Sequence, residues 1–397
     1  MRRLVFFARH NNDLDHFAPL VWKWTSQPDK DAWIVLMSDQ LKLEDFRLSM
    51  LARTGRVKIV TQAMTVSAAA EFHGRANETT CSPQELVAFL INDAEAAGLI
   101  FDHSRSQDTL DIVSAAQLMG VKTVGVPHGD DPFLNYMITI NDIRLSEARV
   151  SADPGPFDLY ISPTRIHERR KTEKWQNRYA VLGLPRFCME WLQVLDSELK
   201  PLHIPEREGT LKLMFFIRNA KYAVFWEEFS RLLAMLLQFP DVTVLVAKHP
   251  RTFQRRGGAG PIDVSLPNPS EISQIHNSSR LIYQEADEFH ASQLIGWADA
   301  VLSLGTSVVY EAVQRGKPVF EIEYLHPNKT VIGAIFPNAK IETRDDMFKW
   351  MRRLKKNSSQ ENFYAPNELK KFRELCIEVG EQDVLANYIS RIDEFIE

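Results

Sequence analysis

Cysteine is scarce in this chain. Cys81, Cys188 and Cys376 stand far apart among 397 residues. No disulfide framework and no zinc-ligand spacing can be built from them. Such usage suits a reducing compartment, so a cytoplasmic location is expected. Long apolar runs are missing too. None reaches the roughly 18 residues that a membrane-spanning helix needs. "MRRLVFF" begins like a signal peptide, but its apolar run stops at Ala8, too short for an h-region. Strong charge of either sign is also absent. The 47 Lys and Arg face 52 Asp and Glu, a net charge of −5. That argues against an overall electrostatic grip on nucleic acid or anionic lipid, and leaves room for a local basic patch. No sequence repeat and no clear basic amphipathic helix is visible. Peripheral association with the inner face of a membrane stays compatible with this composition.

The chain does contain short apolar runs bounded by turn residues, with helical patterns between them. Runs 3–8, 32–38, 57–60, 98–102, 122–126 and 157–162 read as buried strands. Stretches 16–26, 44–54, 83–97 and 106–119 read as the helices that separate them. Strands that are continuously apolar point to a parallel sheet covered on both faces. The pattern restarts after "GLPRF" (183–187) and the polar stretch 199–210, which read as a linker. Strands are expected at 211–217, 242–248, 280–283, 299–304 and 317–322. Helices are expected at 222–238, 288–297, 307–315 and 344–355, and the tail 367–396 is helical and amphipathic. Two Rossmann-like, doubly wound α/β domains are therefore predicted, facing a central cleft that binds ligands at the carboxyl ends of the strands.

Three stretches carry chemistry. In "WADAVLSLGTSVVYEAVQRGKPVFEI" (297–322) a strand ends at Leu304 and Gly305 makes the turn. Thr306 or Ser307 then caps a helix that Gly316 ends. The backbone N–H groups at 306–308 and the two hydroxyls would suit a phosphate. Glu311, one turn on, would reach a ribose hydroxyl. In "VLVAKHPR" (244–251), Pro250 keeps His249 extended at the strand tip. Lys248, His249 and Arg251 would face the phosphate, and a charged His249 would help it leave. In "VGVPHGDDP" (124–132), His128, Asp130 and Asp131 follow a strand. Either type of group could take a proton from an acceptor hydroxyl.

The stretch "RHNNDLDH" (9–16) poses a choice between metal site, base and helix start. A proline inside a helix clashes with the carbonyl four residues back. Pro19 therefore predicts a late start, with Asp15 as N-cap and Asp13 left in the loop as a candidate base. Arg9 and His16 are weaker acceptor-side candidates. Two aspartates without further oxygen ligands make a thin hard-ion site, so no metal is expected.

The residues "KHPR" at 248–251 and "LIGWADAVLSLGTSVVYEAVQRGKPV" at 294–319 resemble the C-terminal nucleotide-binding domain of GT-B glycosyltransferases. The likeness is to bacterial capsule and surface-polysaccharide enzymes: Kdo transferases, sialyltransferases and CDP-glycerol glycerophosphotransferases. "PHG" at 127–129 is similar to the His-Gly element of the last group, whereas "SLGTS" departs from its Asp-Tyr-Ser-Ser type sequence. The resemblance implies an acceptor-binding domain at 1–182 and a nucleotide-donor domain at 183–365. It also implies C-terminal helices at 366–397 packing back across the junction. The implied activity is sugar transfer from a CMP-, CDP- or UDP-linked donor to a glycan or lipid-linked acceptor, with no cofactor beyond that donor. Asp13, His128 and His249 would be catalytic. The alternatives are a UDP-N-acetylglucosamine 2-epimerase-like enzyme and a non-catalytic glycan-binding protein.

Overall fold

The computed structural model describes residues 1–75, 78–102, 106–126, 132–138, 142–145, 155–165, 177–204, 211–218, 223–247, 279–284, 289–356, 363–379 and 383–397. The chain divides into two compact units. The first comprises Met1–Asp130, Ser151–Leu192 and Arg373–Glu397, and the second Asp131–Val150 and Gln193–Phe372.

The first unit is built on seven parallel strands. These are β1 (Arg2–Ala8), β2 (Lys30–Leu36), β3 (Val57–Thr61), β4 (Ala96–Phe101), β5 (Lys122–Gly125), β8 (Leu159–Ser162) and β9 (Tyr179–Val181), in the order β3-β2-β1-β4-β5-β8-β9. Leu4 to Ala8 and the whole of β2 are buried, as continuously apolar central strands require. The final helix, Val384–Ile396, returns to this unit. It buries Val384, Leu385, Tyr388, Ile389 and Ile392. The Tyr388 hydroxyl donates to the Gly183 carbonyl (2.9 Å), and Asp393 binds Lys30 (2.6 Å) and Arg2 (2.7 Å).

The second unit carries six parallel strands: β10 (Leu211–Phe216), β11 (Val242–Ala247), β12 (Leu281–Gln284), β13 (Ala300–Ser303), β14 (Val319–Ile322) and β15 (Lys340–Ile341), ordered β12-β11-β10-β13-β14-β15. A small antiparallel hairpin of β6 (Tyr136–Ile138) and β7 (Ile143–Leu145) belongs here as well, although it precedes β8 in sequence. It is tied in by backbone bonds from Val331 to Pro132 (2.8 Å) and from Leu134 to Lys329 (3.0 Å). Both sheets have the predicted doubly wound character.

The first helix corrects the expected start. It spans Asn11–Thr25, with His10 as N-cap and Pro19 inside it. Asp13 is the third helical residue, and its Oδ2 accepts the backbone N–H groups of Arg9 (2.8 Å) and His10 (2.7 Å). Asp15 is therefore not the cap. Pro19 costs the helix about 3 kcal/mol. Leu14, Phe17, Leu20 and Val21 are fully buried on that helix, and each contributes about 1.5–3 kcal/mol. Packing outweighs the proline.

Candidate functional site

In the second sheet β10 lies between β11 and β13, so the strand order reverses beside it. Ligands of doubly wound folds sit outside the carboxyl ends of the strands at such a switch. Arg218 follows β10 here, Ser303 ends β13, and Glu321 lies in β14. His326, Asn328 and Thr330 follow β14. All six are buried.

The turn after β13 is held from beneath. Ser303 Oγ accepts the N–H groups of Gly305 (3.0 Å) and Thr306 (3.3 Å), and Glu321 Oε2 also accepts from Gly305 (3.0 Å). Gly305 has φ +78°, and a Cβ there would lie 2.6 Å from Phe133 Cζ. Only glycine suits that backbone and that neighbour. The expected cap by Thr306 or Ser307 is not what forms. Val308 is the N-cap without a side-chain bond, because Ser303 already organises the turn. The first turn of the helix Val309–Gln314 is tight, with Tyr310 N–H donating to Ser307 (3.0 Å) and Glu311 N–H to Val308 (3.2 Å). Thr306 and Ser307 stay half-buried.

Around this turn lies a cluster of polar groups. Burial pushes the Glu321 carboxyl up to about 8, against the opposing hydrogen bonds from Ser303 and Gly305. Burial, then the Arg218 charge, lowers His326 to about 3, so its ring is neutral near pH 7. His326 Nδ1 accepts the Asn328 N–H (3.2 Å), which places the ring proton on Nε2. Asn328 Oδ1 accepts the Ile138 N–H (3.3 Å), which turns its amide nitrogen the other way. Glu323 Oε1 takes the Thr330 N–H (2.9 Å) and hydroxyl (2.8 Å). Phe133 is the apolar centre, with the Arg218 guanidinium 4.2 Å above its ring and the His326 ring 6.2 Å away. Glu321 Oε1, His326 Nε2 and Asn328 Nδ2 are buried and find no hydrogen-bond partner among the described residues. Buried polar atoms of this kind need an explanation, and a ligand or ordered water supplies one.

None of Phe133, Arg218, Ser303, Glu321, His326 and Asn328 was singled out from the sequence. The signal available was "FEIEYLHPN" (320–328): two glutamates and a histidine following an apolar strand. Of the predicted donor residues, Gly305, Thr306, Ser307 and Glu311 share this region. Glu311 is buried and accepts from Arg315 Nε (2.8 Å), which also binds Asp196 (2.8 Å). Lys248, His249 and Arg251, and likewise His128 and Asp130, lie outside the described residues. Among the described residues no group of three or more His, Cys, Asp or Glu could hold a metal ion.

In the first sheet the order reverses between β1 and β4. Arg9 there bonds Thr109 (3.1 Å) and approaches Asp108 (3.5 Å) at the start of the helix Gln107–Leu118. His16 and Asp13 are buried. Asp15 binds Arg47 and, through Oδ2, Arg186 (2.9 Å). The arginines explain why a carboxylate is tolerated inside the helix, and neither was foreseen.

No protein-family model matches the chain, and no curated protein is similar to it. Its fold, however, is shared over its whole length with solved structures. UDP-GlcNAc 2-epimerase from Neisseria meningitidis, bound to UDP-GlcNAc, has a TM-score of 0.62 at 12% identity, covering 99% of this chain and 100% of that one. MnaA from S. aureus, solved with UDP, has a TM-score of 0.56 at 12% identity, covering 100% and 97%. A UGT transferase from Siraitia grosvenorii in complex with UDP has a TM-score of 0.56 at 11% identity, covering 100% of both chains. The fold is the two-domain, Rossmann-like GT-B type. These likenesses do not single out a capsule family.

Proposed function

We propose that the chain is a glycosyltransferase that draws a sugar from a nucleotide-activated donor, with UDP as the nucleotide, and passes it to a glycan or lipid-linked acceptor. The observation that carries this reading is the buried cluster at the carboxyl edge of β10, β13 and β14. Glu321, His326 and Asn328 each present a buried polar atom that finds no hydrogen-bond partner among the described residues. A hydroxyl-rich sugar offers donors and acceptors to such groups, and burying them unmatched costs about 1–3 kcal/mol each. The three neighbours named above were solved with UDP or UDP-GlcNAc, which supports a nucleotide sugar as the ligand.

In this reading Thr306, Ser307, Lys248, His249 and Arg251 hold the donor phosphates, and Glu311, fixed by Arg315, takes the ribose. The acceptor hydroxyl attacks the anomeric carbon. The nucleotide phosphate leaves with the bonding electrons, its charge offset by the cations at 248–251. No bound metal is needed in this scheme. Asp13 and Asp15 are occupied by the helix start and by two arginines, so His128 becomes the base, with Arg9, His16 and Asp130 as acceptor contacts.

Epimerisation is the second reading, favoured by the 2-epimerase with the TM-score of 0.62. The two are separated by incubating the protein with UDP-GlcNAc, with and without oligosaccharide acceptors. Acceptor-dependent UDP release supports transfer. Conversion of the sugar without any acceptor overturns it in favour of epimerisation.

A further inference from the structure

The helix Arg344–Lys356 has a face that plays no part in the site described above. From Met347 to Gln360 the sequence "MFKWMRRLKKNSSQ" holds five cations and no acid, in a chain whose net charge is −5. The fully buried Met347 and Met351 anchor the helix. Trp350 joins them, with its ring 5.6 Å from Phe320 and 5.0 Å from Phe363. Residues three and four apart share a helix face, so this stripe turns Lys349, Arg352 and Arg353 outward. All three are exposed. The Lys349 side chain is 71% exposed, and its contact with Asp346 is long at 3.5 Å. Arg353 lies 5.0 Å over the Trp350 ring. Among the described residues no carboxylate partners Arg352 or Arg353. Beside them Phe348 is 40% exposed, its ring 5.3 Å from Phe239. Beyond its acidic first turn, with Asp345 and Asp346, the helix thus presents a basic face with an aromatic side chain at its edge, which the sequence reading did not recognise.

We infer that this face docks on an anionic lipid bilayer. Its charge complements the bilayer surface, and each cation near such a surface strengthens binding by about fivefold. The exposed aromatic ring is the feature that favours lipid over nucleic acid: it suits the boundary between headgroups and acyl chains, as in interfacial helices. The inference uses none of the residues assigned to the nucleotide, so either can fail alone.

The test is co-sedimentation of the full chain with phosphatidylcholine vesicles, with and without phosphatidylglycerol. The wild type is expected to bind the anionic vesicles and to lose them at high salt. The triple variant Lys349→Glu, Arg352→Glu, Arg353→Glu is expected to bind at least about 100-fold more weakly, and Arg352→Gln about fivefold more weakly. Phe348→Ser is expected to weaken binding at low salt, where the wild type binds. Unchanged melting temperatures check the fold, and Arg352→Gln carries the test if the triple variant does not fold. Absent binding, equal binding to both vesicle types, or variants that bind like the wild type overturn the inference. A single-stranded oligonucleotide that displaces the vesicles at comparable concentration also overturns it, assigning the face to nucleic acid.

Discussion

Glu321→Gln removes an ionisable group from the buried cluster with little change of shape. The wild-type carboxyl is fully buried and raised from 4.5 to about 8, first by desolvation. Between those values the unfolded chain is ionised there and the folded chain is not. The folded state then binds the extra proton, so stability falls as pH rises through this window. At 1.36 kcal/mol per pKa unit, the loss reaches about 4 kcal/mol by pH 8. Glutamine resembles the protonated acid, with an oxygen to accept the Gly305 N–H, and has nothing to ionise. Wild type and variant are therefore expected to melt together near pH 4.5. By pH 8 the variant should melt on the order of 10 °C higher, at about 2–4 °C per kcal/mol for a unit of this size. His326, lowered to about 3, makes stability fall as pH drops from 6.5 towards 3, but it does so in both proteins and cancels. Differential scanning calorimetry from pH 4.5 to 8.5 provides the comparison. Parallel profiles for the two proteins refute the burial argument for Glu321.

Gly305→Ala forces a Cβ into Phe133 at φ +78°, and is expected to destabilise by about 2–5 kcal/mol from strain and overpacking together. Phe133→Leu in the same chain should restore part of that loss, and calorimetry on the double-mutant cycle should show the coupling; strict additivity would separate the two residues. Asp15→Asn leaves Arg47 and Arg186 without their shared carboxylate and should cost about 3–5 kcal/mol, read as a lower urea midpoint. An unmoved midpoint would take that ion pair out of the account.

The architecture was legible because both sheets are parallel and buried. Runs such as "LVFFA" and "VTVLVA" are apolar on both faces, and Gly316 with Pro318 marks the end of one helix and the start of a strand. The helix Gln62–Phe72 was missed because "QAMTVSAAAEF" has little amphipathic contrast, and it abuts β3 with no intervening loop. The hairpin Tyr136–Leu145 was missed because its strands have three residues each, and its place in the second unit depends on long-range bonds such as Ile138 to Asn328. The start of the first helix was misread because local proline sterics were weighed without the packing that overrides them. In the candidate site, the turn at Gly305 and the helix that carries Glu311 were legible because a strand–glycine–helix junction has a recognisable spacing. Glu321 and His326 were not, since a glutamate in "PVFEI" looks like a solvent-facing strand residue until its neighbours are known.

The most direct test of the account is a thermal-shift screen of the purified chain against CMP, CDP, UDP, GDP and UDP-N-acetylglucosamine, each with and without EDTA. A ligand that binds the folded state alone raises the melting temperature, by about 2.7 kcal/mol of added stability at a hundred times its Kd. The account predicts a selective rise with UDP and UDP-N-acetylglucosamine that EDTA leaves unchanged. A flat response to all five would contradict nucleotide-sugar binding and leave the buried cluster of Glu321, His326 and Asn328 to another ligand.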